Sequence, residues 1–214
     1  MFSIWSLLLW VALIAAAQSE IEFPNAITAE FITIAHQIPE TSEYPLREKH
    51  YSLYYDRTRQ AGRIEQSMEN GVKVTDIRDY KAHYEVHIES IDGEDVCEYS
   101  YLGESFPEPQ FPGTISFLKQ RVNKDRRFNL YNYQHYRQYV DITVDAETHQ
   151  PVRIDEYDVV GQKAKPVFST VYTTVSSAVD ASVFDVTALI QSGKCTRNSK
   201  GWPYHLIFGP FVRF

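Results

Sequence analysis

Residues 63–79 read Arg-Ile-Glu-Gln-Ser-Met-Glu-Asn-Gly-Val-Lys-Val-Thr-Asp-Ile-Arg-Asp. Two short runs, 63–68 and 72–79, flank Glu69-Asn70-Gly71, where glycine is free to take a positive φ. In the first run Ile64 and Met68 fall on one face and Arg63 and Glu65 on the other, the period-two pattern of a strand with one side buried. Strands joined by so tight a turn must run antiparallel.

The same device recurs outward along the chain. Ile91-Asp92-Gly93-Glu94 is a second turn of this kind, and runs rich in Tyr, Val, Ile, Phe and Thr predict strands at 31–36, 49–57, 83–90, 95–102, 136–145, 151–158 and 167–175. Helix is sparse. One helix is expected at 113–122, after the Pro-rich stretch 106–112, because Ile115, Leu118 and Val122 make one stripe. A second is expected at 181–190, capped by Asp180 or Ser182. The fold class is therefore mainly β: a curved antiparallel sheet forming a half-open barrel, with one or two short helices over its mouth. A sheet of this many strands must twist, and it covers an apolar side by curling or by folding into a sandwich.

Alternation assigns faces. Tyr51, Leu53 and Tyr55 are expected to share one side with Ile64 and Met68, with Tyr84, Val86 and Ile88, and later with Val140, Ile142, Val144, Val152 and Ile154. Arg63, Glu65, His83, Glu85, His87, Arg153 and Asp155 fall on the opposite, solvated side. Such an apolar interior is either a filled core or a cavity for an apolar ligand. On the second reading Tyr51, Leu53, Tyr55, Tyr84, Val86, Ile88, Ile142 and Ile154 line it, and the helix at 113–122 is its lid.

Composition narrows the partners. Hydrophobic residues make up 43 % of 214 and the formal net charge is −7, so the chain folds and lacks the cationic field that nucleic acid requires. Residues 1–17 carry no charge, and Ala15 and Ala17 stand in an A-x-A arrangement before Gln18. They read as a secretory signal peptide, with 18–214 as a single ligand-binding domain. The apolar stretch is shorter than the roughly 20 residues a bilayer needs, so an uncleaved anchor is the weaker reading. The tail at 202–214 is interrupted by Gly209 and Pro210, and no transmembrane segment or lipid-anchor signal is expected from it. No Asn-x-Ser/Thr acceptor occurs. A secreted or secretory-lumen protein is expected, and in that setting the two cysteines, Cys97 and Cys195, read as one disulfide. A loop of about 99 residues closed in this way is worth roughly 4–5 kcal/mol on chain-entropy grounds. The rival reading, a nucleophilic thiol beside a histidine, leaves the second cysteine without a role.

Catalytic signatures are missing: there is no G-x-S-x-G, H-E-x-x-H, phosphate-cradling loop or dinucleotide fingerprint, so no enzymatic activity and no cofactor are expected. His83-x-Glu85-x-His87 could offer ligands to zinc from one strand face, but a hydrated outer face explains it as well and no metal is assigned. Asp141, Asp145 and Glu147, then Asp155, Glu156 and Asp158, could meet calcium or simply be solvated. The basic run Lys119, Arg121, Lys124, Arg126 and Arg127 stands out in an acidic chain and could meet anionic surfaces or an acidic partner.

A longer pattern points to a family. Val140-Asp141-Ile142-Thr143-Val144-Asp145, the turn Ala146-Glu147-Thr148-His149-Gln150, the run Pro151-Val152-Arg153-Ile154-Asp155-Glu156-Tyr157, then Phe168-Ser169-Thr170-Val171-Tyr172 and Val183-Phe184-Asp185 before Cys195 follow one another. This resembles the closing half of ependymin-related secreted proteins and, more loosely, the LolA-like bacterial lipoprotein carriers with an unclosed barrel. The stretch 51–57 followed by Arg63-Ile64-Glu65 resembles the early hairpin of the same proteins. The resemblance implies a half-open barrel with helices across its mouth and a deep pocket for lipid or another hydrophobic small molecule. The expected function is binding such a ligand. The alternatives are an extracellular interaction or calcium-responsive matrix protein with a packed core, and, behind both, a secreted hydrolase. The oligomeric state is not legible.

Overall fold

The computed structural model of the chain describes residues 25–37, 48–68, 71–106, 115–135, 138–160 and 163–199. The expected signal peptide at 1–17, the tail at 202–214 and most of the Pro-rich stretch lie outside the described residues.

Among the described residues twelve strands form one sheet that does not close. The first six make a meander: β1 (Ala26–Ala35), β2 (Glu48–Asp56), β3 (Ala61–Ser67), β4 (Lys73–Asp79), β5 (Tyr84–Ile91) and β6 (Glu94–Tyr101). A second meander follows: β7 (Ser116–Asn123), β8 (Arg126–His135), β9 (Gln138–Asp145), β10 (Pro151–Val160) and β11 (Lys163–Ser176). The two are stitched edge to edge by the antiparallel pairing of β1 with β11, where Phe31 stands opposite Tyr172. The last strand, β12 (Cys195–Arg197), pairs parallel to β6 and brings Cys195 opposite Cys97, and the two cysteines form a disulfide. β12 and β7 are thus the two ends of the sheet.

Every strand expected from the sequence is present, with its ends shifted by a few residues. The tight turns follow from local chemistry. Ile91 pairs with Glu94 around Asp92 at φ +52° and Gly93 at φ +85°, a two-residue hairpin whose twist matches that of its strands. Gly71 takes φ +82°, a left-handed backbone that its missing side chain permits.

The helix expected at 113–122 is corrected: residues 116–123 are β7, an antiparallel partner of β8. Lys124 at φ +54° and Asp125 turn the chain so that Asn123 meets Arg126, and a hairpin closes before a helix can propagate. The stripe of Ile115, Leu118 and Val122 is coincidental, since Leu118 sits at a bulge in the β7–β8 register. No helical lid comes from this segment.

The second helical expectation holds. A 3-10 turn, η1 (Ala181–Phe184), starts at Asp180, whose carboxylate accepts the Ser182 amide, and α1 (Val186–Gln191) starts at Asp185, whose carboxylate accepts the Ala188 amide at 3.1 Å. Phe184 and Val186 are fully buried, and the two short elements lie against β3, β4 and β5.

Candidate functional site: the apolar face of the sheet

Residues directly opposite each other on neighbouring strands share a face. One row runs Ala29, Leu53, Ile64, Asp76, His87 and Glu98; the next runs Ile27, Tyr55, Gly62, Arg78, Glu85 and Ser100. On the other half of the sheet the same face carries Tyr172, Ile154, Ile142, Val140, Tyr131 and Tyr133. Together these build one apolar cluster that also takes in Phe31, Tyr80, Leu102 and Val144, with Tyr51, Phe106, Ile115 and Val175 packed against it. Aromatic rings tie it together: Phe31 stacks on Tyr51 at 5.2 Å, Phe106 lies 5.6 Å from Tyr55 and 5.3 Å from Tyr80, and Phe117 meets Tyr131 edge-on at 5.5 Å.

Five of the predicted lining residues, Tyr51, Leu53, Tyr55, Ile142 and Ile154, therefore come together on one face. Tyr84, Val86 and Ile88 do not. They lie on the reverse side, where Val86 and Ile88 join Ile77, Cys97, Val186, Leu189 and Ile190 under α1, and Tyr84 is 36 % exposed, edge-on to Tyr99 at 6.1 Å. Alternation in 83–90 groups Tyr84, Val86 and Ile88 on one face correctly, but both faces of β5 are covered and the pattern does not say which of two cores that face enters; a phase difference of one residue between strands reverses the face. The residues missed are Phe31, Tyr131, Tyr133 and Tyr172. The signal for the middle two is the alternation of Tyr131 and Tyr133 with Asn132, next to a stretch that stands out for its charge.

The face is polar at one end. Arg78, almost fully buried, holds Glu85 at 2.8 Å and Glu104 at 3.1 Å, so its charge is matched inside. Burial pushes the Tyr80, Tyr133 and Tyr172 hydroxyls above their ordinary range, which keeps all three protonated and able to donate. Further along, His87 Nδ1 donates to Asp76 Oδ1 at 2.7 Å. That bond, together with the charges of Glu89 and Glu98, raises the imidazole pKa against the opposing effect of burial.

The reverse face of β9–β11 holds a second polar group. Arg153 grips Asp155 with two bonds at 2.7 and 2.8 Å. Ser169, 1 % exposed, donates its proton to Asp155 and accepts from Arg153 at 3.1 Å. With that proton engaged, His36 Nε2, 2.8 Å away, is the donor to the serine oxygen. A serine, a histidine and an aspartate meet here, but the carboxylate binds the serine rather than orienting the imidazole, the reverse of a nucleophilic relay. Burial pushes Asp155 up, and its bonds from Arg153 and Ser169 outweigh it and hold the carboxyl below the usual range.

The acidic loops are likewise engaged. Asp145 accepts the amides of Glu147 and Thr148 at 3.0 Å and Arg126 at 2.7 Å, which together hold it far below the ordinary carboxylate range. Glu147 pairs with Arg127 at 3.2 Å. Burial raises Asp141, with the charge of Asp155 opposite it adding to the effect and a bond from Tyr139 opposing it. Glu85 and His87 point to the apolar-cluster side, and His83, in the turn before β5 at φ +60°, stacks on Tyr101 instead. Among the described residues no group of three or more His, Cys, Asp and Glu side chains is placed to hold a metal ion. No helix among them is long and apolar enough to cross a membrane.

No family model and no curated protein matches the sequence. Among solved structures, the chain is similar to one described as "Crystal structure of MucB in complex with MucA(peri)", with 9 % identity and a TM-score of 0.32 over 73 % of this chain. The match covers 54 % of that structure's chain, so this chain spans about half its length.

Proposed function

We propose that the protein is a secreted carrier that binds a lipid or another hydrophobic small molecule on the apolar face of its half-open barrel. The observation that carries this reading is one of placement: the aromatic-rich cluster lies on the face opposite η1 and α1, in a sheet whose ends do not meet. The resemblance to ependymin-related proteins and LolA-like carriers supports it. Binding transfers apolar ligand surface out of water, at about 25 cal/mol per Å² before association costs. The tyrosine hydroxyls give the ligand's polar end its partners.

The test is native mass spectrometry of protein secreted by a eukaryotic host, with lipid analysis of what accompanies it. A stoichiometric lipid that is lost in Tyr51→Glu and kept in Tyr84→Glu supports the carrier reading, because these two tyrosines lie on opposite faces and neither is fully buried. A polypeptide that stays bare after incubation with mixed lipids overturns it in favour of a filled core and an interaction role.

A further inference from the structure

We infer that β7 is a docking strand whose outer edge takes up an extended, acidic segment of a partner protein as an added strand. Four observations converge on it. First, the two ends of the sheet differ. β12 is three residues long and pinned by the disulfide, whereas β7 runs Ser116–Asn123, and among the described residues nothing pairs with its outer side. A strand at a sheet edge presents a row of backbone donors and acceptors to any chain that can lie beside it.

Second, the strand is exposed along its whole length, apolar residues included: Phe117 is 42 %, Leu118 47 % and Val122 69 % exposed. Third, the β7–β8 hairpin gathers Lys119, Arg121, Lys124, Arg126 and Arg127 against one acid, Asp125, in a chain of net charge −7. Arg126 and Arg127 are partly neutralised by Asp145 and Glu147. Among the described residues Lys119, Arg121 and Lys124 form no ion pair with a carboxylate, and the charges of Lys119 and Arg121 act on Asp141 only through their field.

Fourth, the register places Lys119 and Arg121 on one face with Arg126, and Gln120 and Val122 on the other. The edge therefore offers a cationic row on one side and a mixed apolar row on the other. An incoming strand that alternates acidic and β-branched residues matches both rows. A second copy of this chain does not, since β7 against β7 brings cations together. An anionic bilayer matches the charge but makes no use of the backbone edge, so the edge selects a peptide.

The experiment titrates the full-length secreted protein with a fluorescein-labelled peptide of alternating Glu and Val, followed by anisotropy. The same peptide N-methylated at every residue keeps every charge but loses all its backbone donors. The expected result is saturable binding of the first peptide, lost on N-methylation, and about tenfold weaker in Lys119→Glu/Arg121→Glu. These side chains are exposed, and an unchanged circular-dichroism spectrum and thermal midpoint confirm that the variant folds. Equal binding of the methylated peptide overturns strand addition. Failure of the plain peptide to bind also overturns the proposal, and binding confined to vesicles of phosphatidylserine and phosphatidylcholine does so in favour of a membrane contact. The readout is independent of lipid co-purification, so the carrier reading and this one stand or fall separately.

Discussion

His87 and Asp76 are joined at 2.7 Å across β5 and β4, in the same row of the sheet as Leu53 and Ile64. The bond holds the imidazole pKa above its ordinary value, so its contribution to stability is full below the unfolded-state pKa, about 6.5, and is lost as pH rises through the higher folded-state value. His87→Gln is expected to lower the thermal midpoint by about 2–4 °C at pH 5.5 and by less at pH 8.5. A midpoint difference that does not change with pH refutes the linkage.

Ser169 on β11 ties β10 and His36, the residue after β1, together through one hydroxyl. Ser169→Ala leaves the His36 and Arg153 donors short of an acceptor and Asp155 short of a donor in a buried site, which is expected to cost about 1–3 kcal/mol in a urea titration. A loss below about 0.5 kcal/mol means that water replaces the hydroxyl at no cost.

Cys97–Cys195 closes a long loop and anchors the strand pair β6–β12. Replacing both cysteines with serine is expected to lower stability by about 2–5 kcal/mol, and hydrogen exchange is expected to rise first in 186–197. Uniform exchange across the sheet in the variant places the bond's effect elsewhere.

Gly93 tests the hairpin chemistry. It sits at φ +85°, and a Cβ added there would meet nothing within 4 Å, so Gly93→Ala encounters only backbone strain. The expected cost is about 1 kcal/mol by thermal unfolding, and Asp92→Gly, at φ +52°, is expected to be neutral or stabilising.

Much of this fold is legible in the sequence. Period-two runs and the turns at Gly71 and Gly93 locate the six strands of the first meander and β9, β10 and β11 of the second, and an even pair of cysteines points to the disulfide. The misreadings have physical causes. At 116–123 a short apolar stripe fits a helix and a strand alike, and only the Lys124-Asp125 turn, which lacks glycine, makes it a hairpin. β8 is hidden because Asn129 and Asn132 dilute its pattern. The face of β5 is undecidable locally: Tyr84, Val86 and Ile88 announce burial, but the choice between the barrel side and the helix side depends on η1 and α1, a hundred residues downstream. The β12–β6 pairing has no local signal beyond Cys195 itself.

The seam between β1 and β11 has a consequence for how the protein is made. Thr28 finds its partner only when Ser176 has been synthesised, and at roughly 5–20 residues per second that delay is on the order of ten seconds. Until then the nascent first meander carries an uncovered edge of sequence Ala-Ile-Thr-Ala-Glu-Phe-Ile-Thr-Ile-Ala, one charge in ten residues. A polypeptide stopped anywhere before β11 keeps that edge permanently, so premature termination in the second half yields a sticky product rather than a working fragment.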